Sequence, residues 1–123
     1  IAHNYAAFEE HFGETCIVHR KGATLARKGV VGIIPGSQGT CSYITEGLGN
    51  PESFMSCSHG AGRKLSRTAA RNELSLEEEV ARLERAGGIH AIRYKEDIDE
   101  VMAAQADLVK VVTCLHPIAV IKG

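Results

Sequence analysis

Short runs of β-branched and apolar residues alternate with polar, glycine-rich stretches through the first half of the chain. Such runs, bounded by turn-forming residues, are typical of strands. The predicted strands are residues 16–18, 30–34 and 41–45. The Gly, Pro, Asn and Ser content between them indicates loops. The predicted loops are residues 20–28, 35–39 and 47–51.

In the second half the spacing of apolar residues changes toward the helical period. Leu65 and Ala69 stand four apart in a basic helix predicted over 61–72. Ser75 and Glu78 have the spacing of a capping box, which opens a helix that ends before Gly87-Gly88. A third helix is predicted over 97–106, and further strands over 89–94, 109–113 and 118–121. Strands first, with helices interspersed later, predict the α+β class.

Composition narrows the classes of protein without selecting one. The 123 residues fit one domain, and 44% hydrophobic with 24% charged residues is ordinary for a globular chain. The net charge of −1 excludes a protein that holds nucleic acid by overall positive charge, so RNA contact would need local basic clusters. The two basic clusters are Arg63, Lys64, Arg67, Arg71 and His19, Arg20, Lys21, Arg27, Lys28. No apolar run predicts a membrane span, and no secretory leader is visible.

The four cysteines, Cys16, Cys41, Cys57 and Cys114, are widely spaced and include no CxxC pair. Disulfide frameworks and structural zinc sites usually have closer, patterned spacing. We therefore expect reduced thiols in a cytoplasmic protein. The chain begins with Ile1 rather than Met, and we expect it to be part of a longer protein.

The segment Ser58-His59-Gly60-Ala61-Gly62-Arg63 has the strongest indication of chemistry. Its two glycines let backbone amides approach a ligand closely, and the start of the following helix favours an anion. Arg63 could add a bidentate contact to phosphate oxygens. Neutral imidazole carries a lone pair at neutral pH, so His59 could act as a nucleophile toward phosphorus. Taken alone, the segment is equally typical of a tight turn with a capping histidine.

A second glycine-rich loop follows the apolar strand predicted at 30–34. It reads Pro35-Gly36-Ser37-Gln38-Gly39-Thr40-Cys41-Ser42, and its amides and hydroxyls could hold a phosphate or a nucleobase. It lacks the GK[ST] of a phosphate-binding loop and the glycine spacing of a dinucleotide fingerprint. Alone, it is more typical of a hairpin turn.

Other histidines admit several interpretations. His3 and His11, eight apart, could share a helix face and ligate a metal, although the start of a surface helix is the favoured interpretation for His11. The basic turn at 19–24 could bind phosphate or be solvated. His90 and His116 stand among apolar residues, and we expect both to be structural.

Taken together, the motifs resemble the RtcB family of GTP-dependent RNA ligases over almost the whole chain. In order, they are His3-Asn4-Tyr5 with Glu10 and His11, HRKGAT at 19–24, IPGSQGTCSY at 34–43, GNPESF at 49–54, SHGAGRKLSR at 58–67, Asp107-Leu108-Val109, and Val120-Ile121-Lys122-Gly123. Several uncommon motifs in one order are much more specific than any of them alone. The resemblance implies that residues 1–123 are the C-terminal part of an RtcB-like catalytic domain.

The activity implied by this resemblance is the joining of RNA 3′-phosphate or 2′,3′-cyclic phosphate ends to 5′-hydroxyl ends, in tRNA splicing and RNA repair, with GTP and two Mn²⁺ ions. His59 matches the residue that accepts GMP. His3 matches a manganese ligand and Asn4 a guanylate contact. The other matched nucleotide-binding positions are Pro35, Gly36, Ser37, Gln38, Ser42, Gly60, Ala61, Gly62 and Lys122. An archease-type protein cofactor is a further expected partner.

Three departures from the family bear on activity. Gln38 stands where methionine is usual, a change that a backbone contact would tolerate. The stretch between Gly88 and Asp97 is shorter than in relatives. The family's other metal ligands, an aspartate, a cysteine and two histidines, belong to a part absent from this sequence, so we expect this polypeptide alone to be inactive. A metal-dependent phosphoesterase and a non-catalytic fragment that binds nucleotide or RNA remain the alternative functions.

Overall fold

The computed structural model describes residues 4–37, 40–62, 68–69, 72, 75, 77–78, 81 and 98–118. In these ranges seven strands form three antiparallel sheets, ordered β1-β2, β3-β6 and β4-β5-β7. The strands are β1 (Asn4–His11), β2 (Glu14–Lys21), β3 (Ala23–Leu25), β4 (Val31–Ile34), β5 (Ser42–Gly47), β6 (Ser56–Ser58) and β7 (Val109–Leu115). Helix α1 (Ile98–Ala104) precedes β7. The predicted α+β class is confirmed.

The first sheet is a hairpin whose two faces differ. β1 and β2 pair from Asn4↔Lys21 to His11↔Glu14, and the turn between them places both Phe12 and Gly13 at positive φ. Because side chains alternate along a strand, one face carries Phe8 and is exposed, whereas the other carries buried Glu9 and His11. The expectation of a helix at His11 is therefore wrong: His11 lies on a strand and is buried.

A buried ion-pair network fills the inner face of the hairpin. Arg20 donates to both carboxylate oxygens of Glu9, from Nη1 at 2.5 Å and from Nη2 at 3.0 Å. It also donates to the carbonyl of Phe54 and to Oγ of Ser56, both at 2.9 Å. His11 Nε2 lies 3.0 Å from the same carboxylate. We call this the hairpin network, and it ties the hairpin to the turn before β6.

The hairpin network corrects the interpretation of the basic turn at 19–24. Arg20 is only 2% exposed, so it neither contacts RNA nor points into solvent. Its neighbours His19 and Lys21 are exposed, because they alternate with Arg20 along the strand.

The hydrophobic core joins the other two sheets to α1. Its buried members are Ala26, Ile34, Cys57, Ile98, Met102 and Val109. They come from or beside β3, β4, β6, α1 and β7, so the ends of these elements are fixed relative to one another. That arrangement matters because β4 and β6 each lead directly into one of the glycine-rich loops.

The predicted elements correspond to the structure in most of the described ranges. Strands predicted at 16–18, 30–34, 41–45 and 109–113 are confirmed by β2, β4, β5 and β7, and the helix predicted at 97–106 by α1. The capping role of Ser75 is supported, since its hydroxyl accepts the Glu78 N–H at 3.5 Å. Two three-residue strands, β3 and β6, were not predicted, and β3 lies inside a predicted loop.

Several predictions cannot be compared in full. The strand predicted at 89–94 lies outside the described residues, as does most of the one at 118–121, where Ile118 forms a bend. Thr68, Ala69 and Asn72 are helical within the predicted basic helix. No described helix is both long enough and apolar enough to span a bilayer.

Candidate nucleotide site

The two glycine-rich loops approach each other near their starts. Pro35 directly follows β4, and Gly60 is the second residue after β6. A Cβ atom added at Gly60 would lie 3.3 Å from the carbonyl oxygen of Pro35, which is closer than an ordinary van der Waals contact. The structure therefore brings together two segments that are more than twenty residues apart in sequence, and a side chain at position 60 would fit tightly where they approach.

The backbone around His59 is held from two sides. β6 pairs with β3 in the register Ala23↔Ser58, and the His59 N–H donates to the Gly22 carbonyl at 3.4 Å. The Ser58 hydroxyl donates to the Gly60 carbonyl at 2.8 Å, which closes the turn. His59 itself is half-buried, and its Nε2 atom is shielded from solvent. The imidazole is thus held at the boundary between interior and surface, not within the apolar core.

Gln105 holds the segment before His59, and the sequence analysis did not identify it. Its side-chain oxygen accepts the Ser58 N–H at 2.9 Å, one residue before His59. Gln105 is buried, and its own carbonyl accepts the N–H groups of Leu108 and Val109. It therefore connects the end of α1 and the start of β7 to the segment that carries His59. A single glutamine after a helix has no distinguishing pattern, so no local signal could have found it.

The loop over residues 35–42 is closed by its own polar groups. The Gly36 N–H donates to Oγ of Ser42 at 3.2 Å, and the Ser37 N–H donates to Oγ1 of Thr40 at 2.6 Å. A Cβ atom at Gly36 would lie 1.9 Å from the Cys41 carbonyl oxygen. Only glycine fits there, because the chain returns against itself at that point.

Asn4 lies at the end of the hairpin that faces this region. It pairs with Lys21, one residue before Gly22, whose carbonyl accepts the His59 N–H. The Asn4 side chain is exposed and is hydrogen-bonded to Nε2 of His19. The register of β1 and β2 thus places Asn4 on the same side of the molecule as His59.

The structure describes only some of the remaining predicted site residues. Ala61 is half-buried and packs against the hydrophobic core, whereas Gly62 is exposed. His3, Gln38, Arg63 and Lys122 lie outside the described residues. The described part of the site therefore consists of His59, the turn after it, the loop at 35–42 and Asn4.

A cluster of soft ligand atoms adjoins this loop. The side chains of Cys41, Cys114 and His116 have their ligand atoms within 4.8 Å of one another. His116 is exposed, so the expectation that it is a structural histidine in apolar surroundings is wrong. The sequence spacing of the cysteines gave no sign of this cluster, because the pairing of β5 with β7 brings distant residues together. All four cysteines are free.

The pKa shifts beside the loop at 35–42 differ in direction from the shift in the hairpin network. Tyr43 donates a hydrogen bond to Asp99, and this bond, followed by burial, raises the pKa of the tyrosine. A hydrogen bond with Cys114 is the main cause that raises the pKa of the Cys41 thiol. In the hairpin network the pKa shift has the opposite direction. The hydrogen bond from Arg20 lowers the pKa of the Glu9 carboxyl group to about 2, although burial alone would raise it.

Comparison with known proteins gives a consistent result over the whole chain. The sequence model of the family described as tRNA-splicing ligase RtcB matches residues 1–123. The chain is 51% identical over 129 aligned positions to the RNA-splicing ligase RtcB of Escherichia coli strain K12, covering 98% of this chain and 31% of that protein. It is 38% identical over 157 positions to the tRNA-splicing ligase RtcB of Nanoarchaeum equitans, covering 100% of this chain and 32% of that protein.

A third relative extends the comparison to a eukaryote. The chain is 36% identical over 155 positions to RNA-splicing ligase RtcB homolog 1 of Entamoeba dispar, with 100% of this chain and 29% of that protein covered. The chain thus spans about a third of the length of the curated relatives that it matches.

Proposed function

The chain belongs to the RtcB family, and from that premise we propose that it supplies the guanylate-accepting histidine of an RNA ligase. The proposed reaction joins RNA 3′-phosphate or 2′,3′-cyclic phosphate ends to 5′-hydroxyl ends, as in tRNA splicing and RNA repair. His59 is the proposed nucleophile. The loop at 35–42, the turn at 60–62 and Asn4 are the proposed nucleotide contacts, together with Lys122 and the metal ligand His3.

The meeting of the two glycine-rich loops is the observation that carries this proposal. Gly60, next to His59, lies against the Pro35 carbonyl at the start of the other loop. A nucleotide seated against one loop would therefore lie beside the other, with its phosphates toward the half-buried imidazole. The amides of Gly36, Ser37, Ser58 and His59 already donate within the chain. The proposed phosphate contacts are therefore the amides of the turn at 60–62.

The chemistry proposed for His59 is covalent catalysis in two transfers. The lone pair of the neutral imidazole attacks the α-phosphorus of GTP, the bond to the pyrophosphate breaks, and a phosphoramidate to GMP forms. GMP then passes to the RNA 3′-phosphate, and the 5′-hydroxyl displaces GMP to form the new phosphodiester. Residues 58 and 59 are hydrogen-bonded to Gly22 and Gln105. The backbone that carries the proposed nucleophile is therefore fixed before the substrate binds, so less entropy is lost on reaching the transition state.

The metal-ligand cluster among the described residues fits manganese poorly. The glycines do not bear on the metal: a side chain at Gly36 or Gly60 would meet the backbone carbonyl of Cys41 or Pro35, so both glycines permit close backbone packing. In the described part of the chain, the cluster with three metal-ligand groups consists of two cysteines and a histidine, which are softer ligands than Mn²⁺ prefers. A manganese site would need His3 and further ligands that are not among the described residues.

The 123-residue chain by itself is proposed to be inactive in ligation. It corresponds to less than a third of the length of the Escherichia coli relative, and the resemblance assigns it a single manganese ligand. Its working partners would be RNA ends and an archease-type protein cofactor, in the cytoplasm. Four free thiols agree with that reducing compartment.

Guanylylation of a chimera tests the proposal. The corresponding third of the Escherichia coli ligase is replaced by this chain, which is 51% identical to it, and the chimera is incubated with Mn²⁺ and GTP labelled at either the α- or the γ-phosphate. We expect labelling from the α-labelled GTP only, in the peptide that contains His59. The label should be stable in alkali and labile in acid, as for a phosphoramidate. The isolated chain serves as the matched control and should remain unlabelled.

The same experiment separates the alternatives. Label from the γ-phosphate would indicate phosphohistidine chemistry and favour a phosphoesterase. GTP binding without label in the chimera would favour a non-catalytic nucleotide-binding role. Joining of a 3′-phosphate RNA to a 5′-hydroxyl RNA by the labelled chimera would then connect the covalent step to ligation.

A further inference from the structure

The open end of the β5–β7 pair carries three side chains that can ligate a metal. Ser42 pairs with Leu115 and Tyr43 with Cys114, so Cys41 and His116 extend the same register by one position. Cys114 and His116 are two residues apart on a strand and its continuation, and therefore share a face. Sγ of Cys41 lies 3.2 Å from Nδ1 and 3.9 Å from Nε2 of His116, and Sγ of Cys114 lies 3.9 Å from Nε2.

We propose that Cys41, Cys114 and His116 bind one zinc-class divalent cation, separate from the manganese site of the ligase reaction. Tetrahedral zinc with the usual Zn–S and Zn–N bond lengths separates sulfur from nitrogen by about 3.6 Å. Both thiol sulfurs lie 3.9 Å from the same nitrogen, Nε2 of His116, which is slightly beyond this value. The ligands are therefore close to their bound positions before the metal arrives.

The type of ligand selects the metal. Thiolates and imidazole favour zinc and similar borderline or soft cations, whereas Mn²⁺ favours carboxylate, carbonyl and water oxygens. Three protein ligands leave a fourth position for water, which is the arrangement of an open rather than a closed zinc site. Cys114 and His116 are exposed, so a cation can reach the cluster from solvent.

Protons compete with the metal at this site. A bound cation would replace the thiol protons, so zinc affinity should increase as the pH rises.

The position of the cluster gives the metal a structural consequence. Cys41 lies in the loop at 35–42, and its carbonyl oxygen occupies the space beside Gly36. A metal bound to Cys41 and to β7 would fix the far end of this loop to the three-stranded sheet. Only this consequence rests on the proposed function; metal binding itself does not require the chain to be a ligase.

Cobalt titration of the purified 123-residue chain, in a phosphine reductant and without GTP or RNA, tests the site. Co²⁺ stands in for zinc because its thiolate complexes absorb in the near ultraviolet and its tetrahedral complexes absorb in the visible. We expect one Co²⁺ per chain with thiolate charge-transfer absorption, and loss of this absorption when Zn²⁺ is added. Mn²⁺ at the same concentration should leave it unchanged.

Matched variants assign the ligands. Cys41→Ser and Cys114→Ser should each weaken Co²⁺ binding at least tenfold and reduce the charge-transfer band, and His116→Ala should weaken binding at least tenfold. Cys16→Ser, in a half-buried cysteine on β2, should bind as the parent does. Circular dichroism of each metal-free variant confirms that the fold is retained. The proposal is overturned if the parent gives no thiolate band, if Mn²⁺ displaces Co²⁺ as well as Zn²⁺ does, or if folded Cys41→Ser and Cys114→Ser variants both bind as the parent does.

Discussion

The hairpin network and the loop pair use polar residues in opposite ways. In the hairpin network, Glu9, Arg20 and His11 are buried and satisfy one another. In the loop pair, residues 35–42 and 58–62, the described residues are half-buried or exposed, with Ser58 and His59 held largely through their backbones. Burial and mutual pairing of charges indicate a structural role for the hairpin network, whereas the loop pair, with partly exposed side chains on a fixed backbone, is the proposed binding region.

This difference separates residues of the same chemical type. His11 and His59 both belong to segments that resemble family motifs, yet His11 supports the fold and His59 lies at the boundary with solvent. Substitutions in the hairpin network should therefore change the free energy of unfolding, and substitutions at His59 should change the chemistry.

Replacement of Arg20 should have the largest effect. Arg20→Met leaves the Glu9 carboxylate buried without its main partner, and breaking a buried ion pair costs about 3–5 kcal/mol. Urea unfolding measures this change. Lys21→Met, in the exposed neighbour on β2, is the matched control and should stay within about 0.5 kcal/mol of the parent. Similar losses for both variants would contradict the assigned role of the network.

The pH dependence of the free energy of unfolding should report the ionisation of Glu9. Its pKa is lowered from 4.5 to about 2 in the folded chain, so the folded state binds this proton less tightly than the unfolded state. The stabilisation is complete above the unfolded pKa and is lost as the pH falls from about 5 toward 2, with a total on the order of 3 kcal/mol. Urea unfolding at a series of pH values should show this decline, and Glu9→Gln should remove most of it.

Glycine at position 36 should matter more than glycine at position 32. A Cβ atom at Gly36 would collide with the Cys41 carbonyl, whereas one at Gly32 would meet Oγ1 of Thr45 at an ordinary 3.5 Å. We expect Gly36→Ala to cost about 1–3 kcal/mol in thermal or urea unfolding, and Gly32→Ala to cost clearly less. Equal effects would mean that the loop accommodates a side chain, which would weaken its description as a close backbone reversal.

Local sequence patterns predicted the parts of the fold that depend on local chemistry. Periodicity was sufficient for β2, β4, β5, β7 and α1, since each contains an apolar run or a helical repeat. It failed at β1, where the Ala and Glu residues of its sequence favour helix and pairing with β2 overrides that preference. Three residues are too few for any period to identify β3 or β6.

Features that depend on register could not be predicted from the sequence. Glu9 meets Arg20 only through the pairing of β1 with β2, and Cys41 meets His116 only through the pairing of β5 with β7. The contact between Gly60 and Pro35 likewise depends on how the core fixes the ends of β4 and β6. The motifs predicted a site at two glycine-rich loops, but the structure was needed to place the two loops together.

His59→Ala in the chimera with the Escherichia coli ligase is the most direct test of the central claim. The side chain is half-buried and lies outside the hydrophobic core, so the free energy of unfolding should change by less than about 1 kcal/mol. Labelling from α-labelled GTP should be lost completely. Retained GMP labelling in this folded variant would contradict the assignment of His59 as the guanylate acceptor.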